Sequence, residues 1–231
     1  MILEKDASVR NALEEQARKD KAKEARLKMA GIFYELGQAM HRYHEQNGHF
    51  PRAAIRNKEG KPLLSWRVAI LPSLGYEELY KEFKLDEPWD SPHNKSLLAK
   101  MPKVFAPPEG GKKETEATYY QVFIGKDALF EDDQDITYQD VTDGTVHTIL
   151  IVEAGKSVPW TKPEDLAYSA DKPLPELGGA IGDGLFSLIM ADGTPYYARN
   201  GLDEEFQQHL RAYITRNGGE VIPSEWKDLD P

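Results

Sequence analysis

The chain has 231 residues, a formal net charge of -10 and no cysteine. The lack of cysteine excludes disulfides, thiolate nucleophiles and zinc sites built on thiolates. The acidic excess argues against nucleic acid as a partner. No apolar run approaches the roughly 20 residues of a membrane span, and residues 1–26 lack the apolar centre of a signal peptide. We therefore expect a folded protein without nucleic-acid binding and without a membrane span.

The first 26 residues form a charged segment that is rich in Ala, Glu, Lys and Arg. This composition favours helix throughout. Large apolar residues are sparse: Leu3, Val9 and Leu13 give way to Ala17, Ala22 and Ala25. That stripe is too thin to predict a strong coiled coil. We expect a helical arm, residues 1–26, that is continuous with the next helix and that either packs on a neighbour or is solvated.

A single globular domain is expected over residues 27–231, and it begins with a core helix. Met29, Phe33, Leu36, Met40 and Tyr43 recur at steps of three and four residues, which predicts one buried helical face. The pair Asn47-Gly48 can adopt left-handed backbone angles and should end this helix.

The middle of the chain contains short helices and aromatic loops. Ser65 is a good N-cap for a helix over Trp66–Leu71, and a second short helix is predicted over Glu77–Phe83. Polar and aromatic side chains in these constrained loops are candidates for binding a small ligand or a glycan: Trp66, Trp89, Asp90, Asn94 and Trp160. The alternative is that the Trp89 ring simply fixes its loop to the core.

The second half of the sequence predicts an antiparallel sheet followed by a C-terminal helix. Strands are expected over Tyr119–Ile124 and Val146–Glu153, and Asp192-Gly193 predicts a hairpin between Leu185–Ala191 and Thr194–Arg199. Residues Asp203–Asn217 have helical periodicity. The fold class is therefore α+β, with a long N-terminal helix packed on an antiparallel sheet, short connecting helices and a C-terminal helix.

Two groups of residues could bind a metal. His41, His44, Glu45 and His49 lie at helical spacing, and neutral imidazoles bind divalent metals; the alternative is a polar helix end. The carboxylates Asp132, Asp133 and Asp135 are hard oxygen ligands that would suit calcium, although their order matches no EF-hand. An acidic surface loop is the alternative interpretation.

Several motifs, in this order, resemble the planctomycete-type prepilin-like family of unknown function, whose members join a type II secretion pseudopilin-like helix to a globular head. These motifs are Asn47–Pro51, Ser65–Pro72, Glu87–Asn94, Thr142–Thr145, Thr148–Glu153, Pro159–Leu166, Ala191–Gly193 and Ile214–Val221. The resemblance implies a pilin-like fold and an extracytoplasmic location in the cell envelope.

This sequence departs from the family pattern in two places. A charged arm stands where relatives have an apolar prepilin leader, which argues against pilus-type polymerisation. Gly182 occupies a position, ten residues before Asp192, where many relatives have a histidine. No role of that histidine can therefore be transferred.

Three functions are compatible with these observations. The first is a non-enzymatic pseudopilin-like head that binds protein partners of an envelope or secretion assembly, or that self-associates. The second is a binding module for a small ligand or glycan that uses the aromatic loops. The third is a metal-dependent hydrolase near His44. No serine elbow, phosphate-binding glycine loop or dinucleotide fingerprint is present in the sequence.

Overall fold

The structure is a computed structural model that describes residues 2–109, 111–113, 115–131, 134–201, 203–220 and 229–230. Its helices are α1 (Ile2–Asn47), α2 (Trp66–Ala69), α3 (Glu77–Glu82), α4 (Pro92–Ser96) and α5 (Glu204–Ile214). Its strands are β1 (Ala54–Arg56), β2 (Pro62–Ser65), β3 (Ala117–Gln121), β4 (Phe123–Ile124), β5 (Ile149–Pro159), β6 (Leu166–Ala167), β7 (Leu185–Met190), β8 (Pro195–Arg199) and β9 (Leu229–Asp230). No helix among the described residues has an apolar stretch long enough to cross a bilayer.

Helix α1 is one uninterrupted element of 46 residues. The predicted core face is confirmed, because Met29, Phe33, Leu36 and Met40 have no exposed surface. The helix ends before Gly48, whose φ of 82° places it in the left-handed region. The structure thus has the long N-terminal helix that the periodicity predicts.

A five-stranded antiparallel sheet lies between α1 and α5. The strand order is β3-β5-β7-β8-β9, and each neighbouring pair is antiparallel. Side chains along β7 alternate between the two faces of the sheet. Ile189 belongs to the core cluster that includes α1, whereas Phe186 and Leu188 belong to the cluster that includes α5. The α+β prediction is confirmed, and the sheet is covered by a helix on each face.

Two predicted strands have different boundaries in the structure. Residues Thr145–His147 form a 3₁₀ turn, so β5 begins at Ile149 and continues to Pro159. The strand predicted over Tyr119–Ile124 is divided at Val122, whose N–H donates to the Asp165 carboxylate (3.0 Å) instead of to a neighbouring strand. The β7–β8 hairpin forms as predicted, with Gly193 at a φ of 91° in its turn.

Candidate functional site

Two of the aromatic candidates, Trp66 and Trp160, are completely buried. The Trp160 ring stacks on Phe105 with centroids 5.7 Å apart, and its indole N–H donates to the Leu98 carbonyl (3.0 Å). The Trp66 indole N–H donates to Asp165 (3.1 Å). Because neither ring has exposed surface, neither presents a face to a ligand in this structure.

The other three binding candidates lie around helix α4. Asn94 is also fully buried, and its amide nitrogen donates to three carbonyls of the preceding loop, those of Lys84, Glu87 and Pro88. Trp89 is half-buried, and Asp90 is exposed. Of the five binding candidates, Trp89 and Asp90 are therefore the ones with exposed surface.

The predicted metal ligands are engaged mainly with protein groups. His41 Nε2 lies 2.9 Å from the Ala191 carbonyl oxygen, and Asp135 accepts a hydrogen bond from Arg52 (2.8 Å). Asp132 and Asp133 lie outside the described residues. Within the part of the chain that is described, no group of three His, Asp or Glu side chains is placed to hold a metal ion.

His44 lies in an aromatic cluster at the end of α1. Its ring centroid is 4.2 Å from that of Tyr138 and 5.0 Å from that of Phe50, and its buried Nε2 has no hydrogen-bond partner among the described residues. Burial lowers the pKa of His44, and the charges of His49 and His41 lower it further.

We expect this histidine to make the fold sensitive to mild acid. As the pH falls through about 6.5, the unfolded chain takes up a proton at His44 while the folded chain resists it, so the free energy of unfolding decreases. The variant His44→Phe should show a smaller decrease between pH 7.5 and pH 5.5, measured by urea denaturation. An equal decrease in both proteins would contradict this explanation.

A buried cluster of charges joins α1 to the sheet. The Arg26 guanidinium donates to the carboxylates of Glu153 and Asp183, to Ser187 Oγ (2.9 Å) and to the Leu185 carbonyl (2.7 Å). Burial alone would lower the pKa of Arg26, but the hydrogen bond and charge of Asp183 and the charge of Glu153 raise it. Burial raises the pKa of Glu153, and Arg26 opposes that effect.

The backbone around Glu153 completes the cluster. Its carboxylate accepts hydrogen bonds from the Ala180 N–H (2.9 Å) and the Ser187 N–H (3.0 Å). The segment that carries Ala180 can approach β5 this closely because Gly179 has no side chain. A Cβ at that position would lie 2.1 Å from the Gly155 carbonyl oxygen. The one cation of the cluster, Arg26, thus contacts both carboxylates, and these contacts fix α1 to the sheet where the helix enters the core.

A groove of about 850 Å³ lies above this cluster, between α1 and strand β8. Its apolar wall includes Leu27, Ala30, Ile181 and Tyr196. Its charged lining is mainly basic and consists of Glu15, Arg18, Lys19, Lys21, Lys23, Arg26 and Asp183. Arg26 is paired with Glu153 and Asp183, and Lys19 is paired with Glu15 (2.8 Å), so the excess positive charge of the groove comes from Arg18, Lys21 and Lys23. Such an apolar groove with a basic side suits a protein segment with acidic and apolar side chains.

None of the groove residues was selected from the sequence, although Gly182 was noted as a departure from the family pattern. Gly182 lies on the groove wall beside Asp183.

Comparison with protein families identifies the chain only at the level of its family. Residues 22–218 match the model of the family described as "Protein of unknown function (DUF1559)". The chain belongs to the DUF1559 family. Searches of the curated proteins and of the solved structures found no match. The DUF1559 match contains Asp183 and Tyr196 on one wall of the groove, but on the α1 wall it begins only at residue 22. The groove residues that precede the match are Glu15, Arg18, Lys19 and Lys21.

Proposed function

We propose that this DUF1559 protein is a non-enzymatic, pseudopilin-like head that mediates protein interactions in a cell-envelope or secretion assembly. The observation that carries the proposal is the form of α1. One face of the helix is buried in the core from Ala25 onward, whereas residues 9–21 are exposed over their whole length. A helix that is half core and half exposed arm is the arrangement of a pseudopilin-like protein with a globular head.

The proposal includes the division of the chain and its location. Residues 1–26 act as the arm, whose last two residues, Ala25 and Arg26, are buried against the head. Residues 27–231 form the head, which would lie on the extracytoplasmic side of the cell envelope. The groove supports an interaction role, because its apolar wall and basic lining suit the mixed chemistry of a protein surface.

Site-specific photo-crosslinking in the producing cells tests the proposal. A photoreactive amino acid at Tyr196, in the groove, is expected to give discrete cross-linked products with envelope proteins. The matched control carries the same amino acid at Val146, which is 50% exposed and does not line the groove. Identical products from both variants, or none from Tyr196, would contradict the proposal.

A thermal-shift and glycan-array screen separates this function from ligand binding. Binding of a glycan or small molecule that Trp89→Ala abolishes would favour the binding module, because Trp89 is the candidate ring with exposed surface.

A further inference from the structure

The exposed large apolar side chains of α1 lie on one side of the helix. Val9, Leu13, Leu27 and Tyr34 are each between 55% and 67% exposed. At about 100° per residue, these four positions fall within roughly 60° of one another around the helix axis. The buried residues Met29 and Leu36 lie on the opposite side. This apolar stripe therefore faces away from the sheet.

The stripe is part of a longer pattern that we call the outer seam. The seam consists of Val9, Leu13, Gln16, Asp20, Lys23, Leu27, Ala30 and Tyr34. These positions alternate steps of four and three residues, which is the spacing of the a and d positions in a coiled coil. The ends of the seam are apolar, and its centre is polar. It covers 26 residues, about 39 Å of helix at 1.5 Å per residue.

The seam is complementary to itself when two copies run antiparallel. Centring the pair between residues 21 and 22 places Asp20 opposite the partner's Lys23 and Lys23 opposite the partner's Asp20. The same register places Val9 opposite Tyr34 and Leu13 opposite Ala30. A parallel pair in register would instead place Asp20 against Asp20 and Lys23 against Lys23, and like charges at facing positions disfavour association.

We propose that the outer seam of α1 binds a second copy of this chain as an antiparallel helix pair. Polar residues at the centre of such a seam set register and orientation while they limit stability. Because each head packs on the opposite side of its own helix, the two heads lie outside the pair and at opposite ends. The residues Lys23, Leu27 and Ala30 belong to both the seam and the groove, so a helix bound on the seam would also contact one wall of the groove. The proposal does not depend on the proposed function.

The test is the mass of the full chain in solution, measured by sedimentation equilibrium over a concentration series into the high micromolar range. We expect a concentration-dependent shift from 26.1 kDa toward twice that mass. Asp20→Lys and Lys23→Asp should each weaken dimerisation by about tenfold or more, because each places like charges opposite each other. Mixing the two variants, or combining both substitutions in one chain, should restore the dimer.

The antiparallel orientation of the two helices is tested by disulfide formation between introduced cysteines. The result is unambiguous because the chain has no cysteine of its own. A mixture of Val9→Cys and Tyr34→Cys should form a disulfide, whereas Val9→Cys alone should not. A wild-type monomer at all concentrations, a dimer unaffected by Asp20→Lys, or disulfides from Val9→Cys alone would each overturn the proposal. Since these measurements use purified protein, their failure is separate from a failure of the cross-linking experiment at the groove.

Discussion

Replacing Asp165 with asparagine is expected to destabilise the fold by about 3–5 kcal/mol, because it removes one partner of a buried ion pair. The side chains of Arg67 and Asp165 have no exposed surface, and their closest contact is 2.6 Å. Burial raises the pKa of Asp165 and lowers that of Arg67, while the attraction between the two groups opposes both shifts. Asparagine keeps the shape of the side chain but leaves the Arg67 charge buried without its counter-ion.

The measurement is the free energy of unfolding from urea denaturation. Asp90→Asn is the matched control, since Asp90 is exposed and the same atoms change. We expect that control to lie within about 0.5 kcal/mol of the wild type, as is usual for surface substitutions. Equal effects of the two substitutions would show that the buried pair has no special importance.

Replacing Trp160 with alanine is expected to destabilise the fold by about 3–5 kcal/mol, the usual range for a large aromatic side chain in a core. Its ring stacks on Phe105, contacts the edge of Phe83 and donates to the Leu98 carbonyl. Removing the ring would leave a cavity at the junction of three segments. It would also remove one of the two hydrogen bonds that the Leu98 carbonyl accepts, since the Met101 N–H donates to the same oxygen (3.2 Å).

Trp89→Ala is the matched control for this substitution. The Trp89 ring is half-buried and has Lys162 Nζ 5.6 Å from its centroid, so its removal should have a clearly smaller effect on the thermal midpoint. If both variants lost the same stability, the expected difference between the fully buried Trp160 and the half-buried Trp89 would be wrong.

Patterns in short stretches of sequence predicted the elements that are determined by neighbouring residues. The core face of α1 follows from apolar spacing, the β7–β8 turn follows from Asp192-Gly193, and Ser65 caps α2 by accepting from the Arg67 N–H (3.2 Å). Strand β3 was predicted too long because its end is set by Asp165, which is 43 positions from Val122. A contact between residues so far apart in the sequence cannot be recognised from the residues around Val122 alone.

The candidate site was beyond sequence reasoning for the same reason. Arg26 is one of many charges in a helical segment, and its partners Glu153 and Asp183 are 127 and 157 positions away. The burial of Trp66 could not be predicted either, because aromatic residues contribute to surfaces and cores alike. In the sequence, the large apolar residues of the arm end at Leu13. Only the structure shows that Leu27 and Tyr34 lie outside the core and continue an apolar stripe with Val9 and Leu13.

The unbroken course of α1 also has a mechanical consequence. From Ala25 back to Ile2 it forms a lever of about 35 Å at 1.5 Å per residue, with no proline along it to act as a hinge. A force applied at the N-terminal end of this lever would be transmitted to Arg26, where the guanidinium is held by Glu153 and Asp183. The ion pairs of Arg26 would therefore resist that force before the apolar contacts of the core do.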